Sequence, residues 1–242
     1  MPEPLDESRF SSVLCVVAHP DDIEYGLSAA VARWTQAGTK VTYFLLTRGE
    51  AGIDPLPPAE AGPIREEEEL ASAAVVGVTD VHFGTHRDGA IEYGLPLRRD
   101  IAREIRRVRP DLVVGTFYGD RYAGGQLNQA DHRAVGQATV DAVADAGNRW
   151  IFEELVAQEG LHPWKVTTLA ISPSPTGTHY VDVSATFEDA VASLEAHTEY
   201  NRALSADYPA PRELLGSILG GAAQAVGDPA VTHAVSLDVF ER

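Results

Sequence analysis

His19, Asp21 and Asp22 stand in the string Ala18-His19-Pro20-Asp21-Asp22, with Glu24 and Gly26 close behind. Imidazole nitrogen and carboxylate oxygen ligate divalent transition metals such as zinc or iron, and a second carboxylate beside them can carry a proton. His19 and Asp22 are three residues apart, so a tight turn can aim both at one point while Asp21 is directed elsewhere. A third ligand must then come from a distance. Of the eight histidines, His132 is best placed, because it opens a helix after a strand and so returns to the same edge of a parallel sheet. Two histidines and a carboxylate leave coordination positions for water and substrate, with Asp21 as the general base that moves a proton from water to a departing nitrogen. That chemistry is amide hydrolysis more naturally than redox catalysis. A polar turn capping a helix accounts for the same string, and residue types alone leave both readings open.

The elements that would position these residues alternate along the chain. Apolar runs predict strands at 12–18, 40–47, 79–83 and 111–117, and helical spacing predicts helices at 25–37, 63–76, 96–108 and 131–146. Gly38 stops the first helix, Pro63 and Glu66 to Glu69 favour the start of the second, and Pro110 ends the third. Each polar cluster follows a strand. Two long irregular segments, 51–62 and 118–129, read as functional loops. Beyond residue 150 the pattern is less regular: strands at 166–171 and 179–183, a helix at 187–200, a glycine-interrupted helix at 214–225, and 235–240 as an edge strand or helical tail. Repeated βα units imply an α/β, Rossmann-like three-layer fold with a mostly parallel sheet. A single domain over 1–242 is expected, with residues 1–10 as a flexible arm.

Composition narrows the partners. Nineteen basic against thirty-six acidic residues give a formal charge of −17, which disfavours nucleic acid. The arginines Arg98, Arg99, Arg103, Arg106, Arg107 and Arg109 read as a solvated helix face. No apolar stretch is long enough to cross a membrane and none resembles a signal peptide. Cys15 is the only cysteine, so a cytoplasmic setting is expected. No glycine-rich phosphate or dinucleotide fingerprint follows the first strand.

Several segments, taken in order, resemble the LmbE-like, or PIG-L, family of metal-dependent deacetylases: Ala18-His19-Pro20-Asp21-Asp22 with Glu24 and Gly26, Arg65-Glu66-Glu67-Glu68, Asp88-Gly89, Arg109-Pro110-Asp111, and Asp131-His132-Arg133-Ala134-Val135-Gly136. The similarity runs from about residue 12 to 200. It implies hydrolysis of an N-acetyl group on an amino sugar or its conjugate, usually with zinc, Fe2+ being an alternative. His19, Asp22 and His132 match the family's metal ligands and Asp21 its general base. Arg65 matches a substrate-holding arginine, against the plainer reading of a surface arginine paired with Glu69. Asp88 and His179 match pocket-lining positions, and Glu24 is expected to hydrogen-bond a ligand histidine from behind.

The chain departs from the family at Gln129, where many members carry a histidine that supports the tetrahedral oxyanion. Gln129 or Asn128 is expected to fill that role as a neutral donor, or else His86, His179 or His197 does. His197 otherwise reads as structural; Glu199-Tyr200 follows it where the family has Ser-Gln. Rival readings are an amidase of the same fold acting on a thiol conjugate or natural-product intermediate, and a low-turnover metal- or ligand-binding protein. The expected partner is a small-molecule amide, with a homo-oligomer compatible with the sequence.

Overall fold

A computed structural model describes residues 1–242. One eight-stranded sheet runs through the molecule. Its strands are β1 (Glu3–Pro4), β2 (Ser12–Val17), β3 (Lys40–Leu45), β4 (Asp80–Phe83), β5 (Leu112–Thr116), β6 (Thr168–Ser172), β7 (His179–Asp182) and β8 (Ala234–Glu241). The helices are α1 (Ser28–Gln36), α2 (Pro58–Val75), α3 (Leu95–Val108), α4 (Ala130–Ala146), α5 (Glu153–Ala157), α6 (Phe187–Glu195), α7 (Thr198–Ala203) and α8 (Pro211–Val226). Strand order is β1-β7-β8-β6-β5-β2-β3-β4, and only β8 runs antiparallel to its neighbours β6 and β7.

The alternation of side chains along β2 explains why its sequence is apolar without interruption. Val13, Cys15 and Val17 enter the core shared with α1, α2, α6 and α8, while Leu14, Val16 and Ala18 enter the core shared with α3 and α4. A strand covered by helices on both faces needs apolar residues at every position. β3 follows the same rule, with Val41, Tyr43 and Leu45 on one side and Phe44 and Leu46 on the other. Since β2 pairs with β3 on one edge and β5 on the other, the chain reverses its direction of winding at β2. The crevice at such a switch point, beyond the carboxyl ends of the strands, opens directly onto residue 18. Gly136 brings α4 to that edge: a Cβ there would lie 2.3 Å from the Thr116 carbonyl oxygen.

Several boundaries differ from the sequence expectation. Helix α2 starts at Pro58 rather than 63, because Pro58 occupies its first turn and the helix accommodates Pro63. The helix expected over 187–200 breaks at Ala196–His197 into α6 and α7. Residues 235–240 lie within a strand, β8, that closes the gap between β6 and β7. The arm expected at 1–10 contains β1, paired with β7, and Glu7 accepts hydrogen bonds from Arg33 and the Trp34 indole. No helix is long and apolar enough to cross a membrane.

The arginines on α3 do not form one solvated face. Arg106 is 2% exposed and donates to the carbonyl oxygens of Asp145, Ala146, Asn148, Ile151 and Phe152. It closes the C-terminal end of α4, whose last carbonyls have no helical partner. Replacing Arg106 with methionine fills similar volume but strands those acceptors, so the variant should lose about 2–4 kcal/mol of stability. Urea unfolding should show a lower midpoint at unchanged slope; an unchanged midpoint would contradict this account.

Candidate metal centre

Three connections at the carboxyl edge of the sheet build the site. The turn after β2 supplies His19, Asp21 and Asp22, the loop after β4 supplies Asp88, and the loop after β5 with the first turn of α4 supplies Asn128, Asp131 and His132. His19 Nδ1 lies 3.2 Å from His132 Nε2, His132 Nε2 lies 2.9 Å from Asp22 Oδ1, and His19 Nδ1 lies 3.6 Å from Asp22 Oδ2. Asp22 is held in place by the backbone N–H groups of Ala18 and His19, which donate to Oδ2 at 3.0 and 2.9 Å.

The groups behind each ring set its tautomer. His19 Nε2 is 3.1 Å from Asp88 Oδ1 and 3.3 Å from Asp131 Oδ2, so it donates its proton to carboxylates. Nδ1 is then the free lone pair. On the other ring, His132 Nδ1 donates to Asn128 Oδ1 at 3.0 Å, leaving Nε2 free. Asn128 cannot turn its amide around: its Nδ2 donates to the carbonyls of Phe117 and Gly119 at 2.8 and 2.9 Å, and Tyr122 OH donates to its Oδ1 at 2.7 Å. With both rings neutral, the two free nitrogens face each other across 3.2 Å, an arrangement that repels unless a proton or a metal ion lies between them.

These residues fit a divalent ion. Four-coordinate zinc with bonds of about 2.0–2.1 Å separates its ligand atoms by about 3.3 Å, and His132 Nε2 lies 3.2 Å from His19 Nδ1 and 2.9 Å from Asp22 Oδ1, close to that value. The charges agree as well, since Asp21, Asp22, Asp88 and Asp131 crowd a region whose nearby arginine is Arg65. Without an ion, burial opposes protonation of His19, yet Asp22 and then Asp131 outweigh it and hold its pKa well above the usual imidazole value. His132 is raised similarly, burial again being outweighed by Asp22. Burial also disfavours the ionised form of Asp22, but His132 and His19 hold its pKa far below the usual carboxylate range. A metal replaces those protons when it binds.

Asp21 is directed away from this triangle. Its φ of 88° lies in the left-handed region, at a cost of about 1–3 kcal/mol for a residue with a Cβ, and it lets adjacent carboxylates diverge. Arg65 Nη2 is 3.3 Å from Asp21 Oδ1 and also donates to the Pro20 carbonyl. Burial, more than any other cause, pushes the Asp21 carboxyl above its usual range, with Arg65 opposing. Arg65 is itself 2% exposed, with its guanidinium carbon 3.6 Å from the ring centroid of Tyr200. Neither the surface pairing with Glu69 nor open access to a substrate describes it, because α2 turns it inward onto Asp21 beneath Tyr200.

Other expectations are corrected by geometry. Asp88 joins the cluster, but both oxygens are engaged, one at His19 and one accepting the Ala51 N–H at 2.8 Å. Asn128 has no donor left for an oxyanion, whereas the side chain of Gln129 stands exposed at the start of α4. His179, at the start of β7 and four strands across the sheet from β2, hydrogen-bonds Thr178. His86 pairs with Asp100. Glu24 points away from the ligand histidines, accepting from Ser72. Sequence reasoning gave no role to Asp131 or Tyr122, although Asp131 directly precedes His132 and, on the first turn of α4, returns to the same sheet edge. Asp131 also ties down the loop after β4 by accepting the N–H groups of Gly89 and Ile91.

Comparison with known proteins gives the family. Residues 14–143 match PIG-L, described as GlcNAc-PI de-N-acetylase. A diacetylchitobiose deacetylase of Thermococcus kodakarensis is 30% identical over 201 residues, covering 81% of this chain and 71% of that protein. A probable N-acetyl-alpha-D-glucosaminyl L-malate deacetylase 2 of Bacillus anthracis is 33% identical over 139 residues, covering 54% of this chain and 59% of the relative. Among solved structures, an N,N'-diacetylchitobiose deacetylase from Pyrococcus horikoshii superposes with a TM-score of 0.86 at 22% identity, over 97% of this chain and 85% of that one, a likeness of fold.

The orienting role of Asn128 is open to test. Asn128→Ala removes one of the two partners of His132 Nδ1, the other being Tyr122 OH at 3.0 Å, and zinc affinity measured by chelator competition should fall about 10–100-fold. A folded variant with unchanged affinity would show that His132 is oriented by something else.

Proposed function

The chain belongs to the PIG-L family, and from that premise we propose that it is a metal-dependent hydrolase removing an N-acetyl group from an amino sugar or amino-sugar conjugate. The convergence of His19 Nδ1, His132 Nε2 and the Asp22 carboxylate beside a separately held Asp21 carries this reading. The deacetylase names of the two curated relatives point to the substrate class.

His19, Asp22 and His132 would hold the ion, which we take to be zinc, with Fe2+ compatible with the same donors. When bound, such an ion polarises the amide carbonyl and lowers the pKa of water. Asp88 and Asp131 keep the Nε2 proton on His19, and Asn128 keeps the Nδ1 proton on His132, so the opposite nitrogens stay free. Asp21 takes the proton from the attacking water and returns it to the leaving nitrogen. Arg65 favours its ionised form, and Asp21 is the group whose burial readies it to accept that proton. Gln129, exposed at the N-terminus of α4, is the residue available to donate a neutral hydrogen bond to the oxyanion. We treat residues 1–242 as one catalytic domain and, with the lone Cys15 buried, place it in a reducing cytoplasm.

Amine release from a panel of N-acetylated amino sugars and conjugates, with and without chelator, tests the reading. Release should require metal. Asp21→Asn should keep one equivalent of metal and lose about 10²–10⁴-fold in turnover. Release that survives complete metal removal, or parent turnover in Asp21→Asn, would overturn it.

A further inference from the structure

A second buried polar cluster lies behind Asp21. Glu24 from the turn after β2, Glu69 from α2 and His197 from the break between α6 and α7 converge with their side chains wholly buried. His197 Nε2 is 3.7 Å from both Glu24 Oε2 and Glu69 Oε2, too far for a hydrogen bond. Glu24 Oε1 accepts from Ser72 Oγ at 2.7 Å and Ser193 Oγ at 3.3 Å. Glu24 Oε2, Glu69 Oε1 and both ring nitrogens of His197 have no hydrogen-bond partner. Two acids and an imidazole in this state oppose folding, and apolar residues of the same size would be more stable.

One link runs from this cluster to the site: Glu69 Oε2 accepts the backbone N–H of Asp21 at 3.2 Å. Asp21 is the residue whose φ of 88° must be enforced by its surroundings. Helix α2 grips it twice, since Arg65 contacts the carboxylate and Glu69, one helical turn later, takes the backbone N–H. The same four-residue spacing that suggests an ion pair between Arg65 and Glu69 thus serves to hold a third residue.

We propose that Glu69, backed by Glu24 and His197, is a positioning residue that locks Asp21 in its left-handed conformation, keeping its carboxylate toward Arg65 while that of Asp22 turns to the histidines. The inference rests on Asp21 being the general base. It explains why a polar cluster persists where packing alone would favour hydrocarbon.

Glu69→Met and Glu69→Gln separate this role from a structural one. Methionine matches the volume and removes the acceptor. Glutamine keeps an oxygen for the Asp21 N–H, and it resembles the neutral acid that burial and Glu24 favour at Glu69. Glu69→Met should keep one metal equivalent, yet lose about 100-fold in kcat with little change in KM. Amide hydrogen exchange at Asp21 should quicken in the same variant, and Glu69→Gln should restore both kcat and protection. If Glu69→Met does not fold, Glu69→Ala carries the same comparison. Parent kcat in Glu69→Met, or a Glu69→Gln as impaired as it, would overturn the inference. So would a second bound metal equivalent that Glu69→Gln removes, since the cluster would then be a cation site. Asp21→Asn separates the two failures: an active Asp21→Asn removes the base assignment itself, whereas an inactive Asp21→Asn beside a fully active Glu69→Met removes only the positioning role.

Discussion

Two imidazole nitrogens held 3.2 Å apart, each turned toward the other by an acceptor behind its ring, are the constraint around which the site is arranged. His19 donates its Nε2–H to Asp88 and Asp131, and His132 donates its Nδ1–H to Asn128. Every one of these acceptors is fixed by backbone: Asp88 by Ala51, Asp131 by Gly89 and Ile91, Asn128 by the carbonyls of Phe117 and Gly119. The tautomers are therefore a property of the loops, and the loops are a property of the sheet edge that carries them.

That edge also explains the division of labour between adjacent aspartates. Asp22 is drawn toward the rings by the N–H groups of the turn, while Asp21 is drawn the other way by α2. Two neighbouring carboxylates sharing one ion would differ little in chemistry. Directed apart, one is held strongly ionised beside the histidines and the other is raised by burial, the difference that the proposed ligand and base roles require of one dipeptide.

Much of this was legible in the residues. The alternating strands and helices follow from apolar runs and helical spacing, and the sequence brings forward His19, Asp22 and His132 as ligand candidates, which the structure gathers at one point. What could not be read is the supporting layer. Asn128 is a donor and an acceptor in equal measure on paper, and only its contacts with Phe117, Gly119 and Tyr122 show that no donor remains for substrate. Arg65 followed by Glu69 looks like an i,i+4 surface pair, a pattern common to many helices, until α2 is placed against the turn after β2. Likewise the break at His197 has no proline or glycine to announce it; just beyond it Glu68 of α2 accepts the backbone N–H groups of Glu199 and Tyr200, a contact the local sequence does not carry.

The most direct test of the central claim is anomalous diffraction from zinc-loaded crystals, because three carboxylate and histidine clusters compete for an ion. The account predicts one strong peak about 2.0–2.2 Å from His19 Nδ1, His132 Nε2 and an Asp22 oxygen. A peak on the opposite side of the His19 ring, between Nε2, Asp88 and Asp131, or one confined to Glu24, Glu69 and His197, would contradict it.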